Sequence, residues 1–141
     1  MINAYFLYKL SNKLYKWKIP ILPSFIKLIV FLIYNSSIPF QCELGKGTRF
    51  AYSGIGVVLH KRTVVGKNSM IGANVTIGGR SGHHEVPVIG DNVYMSTGAK
   101  ILGPITVGNN VTIGANAVVI NDVPDNAVVA GVPAKIIKFN S

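Results

Sequence analysis

The sequence predicts an all-β solenoid, a parallel β-helix, preceded by a short helical appendage. Three observations carry that expectation. An aliphatic residue returns every six positions, glycine and asparagine hold fixed places between the returns, and the composition changes near residue 40. The aliphatic series starts at Leu59 and runs through Val65, Ile71, Ile77, Ile89, Met95, Ile101, Val107, Ile113 and Val119. Gly follows directly at Gly66, Gly72, Gly78, Gly90, Gly108 and Gly114. A second apolar position lies four residues after the aliphatic one, at Val75, Val93, Ile105, Val111 and Ala117. A period of six fits neither the 3.6 of a helix nor the 2 of a lone strand. Three hexads close one triangular coil with the aliphatic side chain pointing inward. Gly and the asparagines Asn68, Asn74, Asn92, Asn109, Asn110 and Asn116 suit its tight corners. Each coil buries its core against the next, so stacking supplies the stability.

Ahead of the repeat, residues 3–17 read as an amphipathic helix. Phe6, Leu10, Leu14 and Trp17, with Leu7 alongside, make one apolar stripe, and Lys9, Lys13 and Lys16 make a basic one. Pro20 and Pro23 end this element, and Ser24 is placed to cap a second helix from Phe25 to Tyr34. That apolar run is about half the roughly twenty residues a bilayer span needs. No small-residue cleavage site follows it, so it does not read as a signal peptide. The domain expectation is residues 1–40 as a basic, apolar helical appendage and residues 41–141 as the β-helix. The coil begins near Cys42 and is expected to keep its fold without the appendage. The helices either pack on the coil or a neighbouring subunit, or make peripheral membrane contact through residues 1–34 with Trp17 as an anchor.

Composition bounds the chemistry. The net charge is +9, and residues 1–40 hold five lysines and no acid. That excess suits an anionic membrane, substrate or nucleic acid, but no nucleic-acid recognition motif accompanies it. The lone Cys42 excludes an internal disulfide framework and a multi-cysteine zinc site. Between Ile77 and Ile89 the hexad grammar fails, and the chain reads Gly78-Gly79-Arg80-Ser81-Gly82-His83-His84-Glu85-Val86-Pro87. So polar a stretch cannot line a dry interior and is expected to leave the coil as a loop over 79–88.

The register over residues 59–120 resembles the hexapeptide-repeat acyltransferases, whose coil is a left-handed parallel β-helix. Residues 64–137 are similar to the serine acetyltransferase-like branch, which also takes in the polysaccharide O-acetyltransferases. The matching segments are Val75-Thr-Ile-Gly-Gly79, Pro87-Val-Ile-Gly-Asp-Asn-Val93, Thr97-Gly-Ala-Lys-Ile-Leu-Gly103 and Ala127-Val-Val-Ala-Gly-Val-Pro-Ala-Lys-Ile-Ile137. The resemblance implies direct acetyl transfer from acetyl-CoA to a hydroxyl, in a cytoplasmic homotrimer with sites between subunits. A short form with a basic appendage points to an acceptor hydroxyl on a sugar or surface polysaccharide precursor, at the inner face of the membrane. Serine or another small alcohol is the alternative acceptor, and a catalytically weak trimeric scaffold is the alternative role. No metal is expected, because the coil Val93-Tyr-Met-Ser-Thr-Gly-Ala-Lys100 has none of the histidines a metal-dependent relative needs.

Such transfer needs a general base, and the chain offers His84, His83 and His60. The related enzymes usually carry a histidine shortly before a Gly-Ile-Val-Val segment, where this chain has Tyr52 or Ser53. Neither of these is a competent base near neutrality unaided, so the base has moved to another histidine or activity is weak. For the cofactor, the resemblance implies Gly79, Arg80, Thr97, Gly98, Ala99, Lys100, Gly114 and Ala115. Lys135 would meet a CoA phosphate, with Lys138 as a second candidate.

Overall fold

The computed structural model describes residues 3–140. They form a left-handed parallel β-helix of about four turns, with two helices at its N-terminal end. Three flat faces alternate along the chain. The first stacks Glu43–Leu44, Val64–Val65, Val88–Ile89 and Thr106–Val107, all parallel. The second stacks Arg49–Phe50, Met70–Ile71, Tyr94–Met95, Thr112–Ile113 and Ala127–Ala130. The third stacks Val58–Leu59, Thr76–Gly78, Lys100–Leu102 and Val118–Val119. Strand Lys135–Phe139 then folds back antiparallel on Ala127–Ala130 and pairs the last open edge of the second face.

The hexad aliphatics from Leu59 to Val119 are all buried, as are the second apolar positions Val75, Val93, Ile105, Val111 and Ala117. Asparagine and glycine divide the corner work. Asn68, Asn74, Asn92, Asn110 and Asn116 take left-handed φ values of 55–58°, which a short polar side chain tolerates. Asn109 does not; its Oδ1 accepts the Asp91 N–H at 2.8 Å, while Asp91 Oδ1 accepts the Lys67 N–H. The glycines of the hexads keep ordinary φ, and Gly66, Gly72, Gly90 and Gly108 are needed for closeness between coils. A Cβ on Gly72 would lie 2.6 Å from the Met95 carbonyl oxygen on the next coil.

Helices α1 (Ala4–Lys16) and α2 (Leu22–Tyr34) cover the open N-terminal end of the solenoid. Ala4, Tyr8, Val30 and Tyr34 share one core with Cys42, Phe50 and Val57 of the first coil. Tyr8 Oη donates to the Cys42 carbonyl, and Asn12 Nδ2 donates to the Phe40 carbonyl at 2.8 Å. Asn3 caps α1 by accepting the Tyr5 N–H, and its Nδ2 donates to the Phe50 carbonyl at 3.0 Å. Burial pushes the Cys42 thiol up to about 12, so it is a packed, protonated side chain.

Three sequence expectations change here. Ser24 does not cap α2, which starts earlier with Pro23 in its first turn, where the missing N–H costs nothing. Of the apolar stripe, Leu14 is buried and Leu7 packs against the core, but Phe6, Leu10 and Trp17 face outward, because α1 docks through Ala4, Tyr8, Ser11 and Leu14. The appendage and the coil also share a core, so the coil's first turn is not closed by its own residues. No helix among the described residues is long and apolar enough to cross a membrane.

Two outcomes follow from the packing. Gly72→Ala forces a carbonyl and a methyl apart, and a lowered urea midpoint equivalent to about 1–3 kcal/mol is expected. A chain starting at Phe40 bares Phe50 and Val57, and should aggregate rather than show the β-rich circular dichroism of the full chain.

Candidate functional site

An undisturbed coil takes 18 residues, as from Val88 to Thr106 on the first face. Two corners exceed that length, while the corner after Val119 falls short of it, with Val107 pairing to Val123 and Thr112 to Val128. The turn around Tyr52 and Ser53 makes the step from Arg49 to Val58 nine residues, where Met70 to Thr76 takes six. The excursion of residues 79–87 makes the step from Thr76 to Val88 twelve, where Val58 to Val64 takes six. Insertions in a stacked coil can only bulge outward, so both segments stand on edges of the prism.

The longer insertion shares its edge with His60. Gly82, at φ +85°, lets the His83 N–H reach back to the Arg80 carbonyl at 3.1 Å, turning the loop tightly. The Arg80 stem lies over Gly103 of the next coil, where a Cβ would come within 3.3 Å of its Cδ. Val86 and Pro87 are buried and foot the loop. Arg62 then ties the loop down from below, its Nη2 donating to the His84 carbonyl. The Arg62 backbone N–H donates to His60 Nδ1 at 3.1 Å. One residue thus fixes both the corner histidine and the loop that carries the other two.

That bond also sets the chemistry of His60. With Nδ1 accepting, the proton of the neutral ring sits on Nε2, so the ring presents a donor there. Burial lowers the His60 pKa, and the cations Arg62 and Lys61, with His84, lower it further. His60 is therefore a neutral hydrogen-bond donor at physiological pH, whereas a general base needs its free lone pair facing the reactant. His83 and His84 are exposed on the loop. Among the described residues no group of His, Cys, Asp and Glu is placed to hold a metal ion.

The shorter insertion lies one edge away. Tyr52 and Ser53 both have left-handed φ, and Tyr52 is 78% exposed. With Ile55, Ala73 and Thr97 they line an open, mainly apolar depression of about 590 Å³. The same edge continues upward through Gly114, whose missing Cβ would lie 3.1 Å from that of Ala130, to the turn before Lys135. There Ala134 N–H donates to the Val118 carbonyl at 2.9 Å. Thr97, Gly114, Ala115 and Lys135 therefore fall along one edge, with Lys100 starting the adjoining face and donating from Nζ to the Asn74 carbonyl at 2.7 Å. Gly98 and Ala99 are buried inside this corner, where Asn116 Oδ1 occupies the space beside Gly98, so neither presents a surface to a ligand. Gly79 and Arg80 stand on the other edge, with the histidines. Within one chain the two groups flank opposite sides of the third face. What sequence reasoning missed was Arg62, whose spacing from His84 betrays nothing until the coil brings them together.

The bacterial transferase hexapeptide family (six repeats) matches residues 87–121. Over nearly the whole chain the similarity is to serine acetyltransferases. That of Synechococcus elongatus is 35% identical over 92% of this chain and 54% of its own length. That of Staphylococcus xylosus is 37% identical over 97% of this chain and 64% of its own. The Brucella abortus serine acetyltransferase in complex with coenzyme A superposes with a TM-score of 0.92 at 34% identity, covering 98% of this chain and 56% of that one. A serine acetyltransferase in complex with cysteine gives 0.89 at 31% identity, covering 98% and 54%. The chain thus spans between about half and two thirds of the length of these relatives. The stacked hexads and the family match agree with the relatives, and the chain belongs to the bacterial hexapeptide-repeat transferases, on their serine acetyltransferase-like branch.

Proposed function

We propose that this chain is an acetyl-CoA-dependent O-acetyltransferase, working as a homotrimer in the cytoplasm, with serine or a similar small alcohol as acceptor. The relatives' names move the acceptor toward serine and away from the sugar hydroxyl that the short basic appendage suggested. The observation that carries the reading is the Arg62 clamp, which holds a histidine loop against a corner histidine on an exposed edge.

Acetyl-CoA supplies the acetyl group as a thioester. The edge of Thr97, Gly114 and Ala115 is narrow-sided enough for an extended pantetheine arm, and its depression is apolar and open. Lys135 and Lys138 stand exposed at its upper end as partners for phosphate. As the acceptor's oxygen bonds to the thioester carbon, His84, with His83 beside it, takes the hydroxyl proton on a ring nitrogen and passes it to the CoA sulfur as the C–S bond breaks. His60 donates from Nε2 to the oxygen that gains charge. Because the histidine edge and the cofactor edge are separated by a face of the prism, the complete site needs the histidine edge of one subunit against the cofactor edge of the next. Tyr52 and Ser53 then face a histidine from the neighbour, which explains how the chain dispenses with one at that position.

The test is free-thiol release from acetyl-CoA with serine and with a panel of sugars, each as sole acceptor. His84→Ala should lower kcat by about 10²- to 10⁴-fold with little change in KM for acetyl-CoA. His60→Ala should be milder, by about one to two orders of magnitude, as for a lost donor. His60 titrates below the ordinary value of about 6.5. As pH falls through that lowered value, Nδ1 gains a proton and gives up the Arg62 N–H; Nε2 still donates, but the ring loses the bond that orients it. An acid-limb inflection below about 6.5 that disappears in His60→Ala is therefore expected. Full activity in each of His84→Ala, His83→Ala and His60→Ala would remove histidine catalysis from this chain.

A further inference from the structure

The helical hairpin presents apolar side chains that nothing among the described residues covers. On α1, Phe6, Leu10 and Trp17 lie on the side opposite buried Tyr8; on α2, Phe25, Leu28 and Leu32 lie opposite buried Val30. At the turn between them Ile21 is 83% exposed and held at φ +69°, a costly conformation for a β-branched residue that aims it outward. So many exposed large apolar side chains on two adjacent helices mark a contact site.

Charge says what the contact is. Lys9, Lys13 and Lys16 flank the apolar row of α1, and Lys18 and Lys27 follow, with no acidic residue on either helix. The nearest acid is Glu43 on the first coil, bonded to Lys16 at 3.3 Å. The Lys13 ammonium sits 4.7 Å from the centre of the Trp17 ring, so an aromatic plane and a cation share one level. A self-complementary contact with a second copy would set these lysines against their own equivalents with no acid to receive them. An anionic bilayer satisfies both features: its headgroups meet the lysines, and its acyl boundary takes the aromatic and aliphatic tips. We infer that the α1–α2 hairpin docks the protein on an anionic phospholipid surface, lying in the interface rather than spanning it.

This inference stands apart from the acetyl-transfer reading, since none of these residues lies on either catalytic edge. Trp17 is the chain's single tryptophan and 61% exposed, so its fluorescence reports the contact directly. The full chain is titrated with vesicles of phosphatidylcholine and phosphatidylglycerol, and with phosphatidylcholine alone, alongside flotation. The expected result is a blue shift and flotation with the anionic vesicles only, weakened by salt. Lys9→Gln with Lys13→Gln should lower the partition coefficient about 30-fold. Phe25→Ser, at an exposed position, should weaken binding while leaving the circular dichroism unchanged. No shift with either vesicle, or equal binding to both, overturns the inference. So does a blue shift that grows with protein concentration without lipid and tracks a rise in mass, which would give the face to a second copy.

Discussion

Everything in this protein depends on one constraint: each coil must lie against the next closely enough for its amides to reach the neighbouring carbonyls. The Gly72 N–H donates to the Met95 carbonyl at 2.9 Å, and the Gly90 N–H to the Val107 carbonyl at the same distance. That closeness leaves no room for a Cβ at Gly66, Gly72, Gly90 and Gly108, and an undisturbed coil takes 18 residues. A solenoid so constrained cannot absorb an extra residue internally. Additions are expelled at the edges, which is why the two insertions are also the two places with exposed chemistry.

The rigid stack serves the site in a second way. His60 and the 79–87 loop come from successive turns, and only stacking in register puts the Arg62 side chain under the His84 carbonyl while its backbone holds His60. A loop tethered at Val86 and Pro87, turned at Gly82 and clamped by Arg62 has little freedom left to lose when a substrate arrives. The position of the loop histidines is thereby set by the fold rather than by a ligand.

How much of this was legible follows the physics of each part. The inward aliphatics were readable because a period of six has no other simple explanation, and every one from Leu59 to Val119 is buried. The loop was readable because it broke that period. The separate duties of Gly72 and Asn74 were not, since one depends on the distance to the next coil and the other on a local dihedral. Nor was the orientation of α1: periodicity reveals the stripe of Phe6, Leu10 and Trp17 but not the surface it meets. Tyr8 decided that by bonding to Cys42 from the other side. The split of the candidate residues onto two edges follows from which hexad holds each, and Ala99 turned inward because it occupies the second apolar position of its hexad.

The claim most open to direct test is that one active site joins two chains. His84→Ala damages the histidine edge and Thr97→Trp fills the proposed cofactor edge, so in the proposed trimer each variant alone should be inactive. Unfolded together and refolded, the two variants should recover about a quarter of the wild-type site number, the share expected when subunits assemble at random. A mixture that stays as inactive as its parents would show that both edges act within a single chain, and would contradict the account.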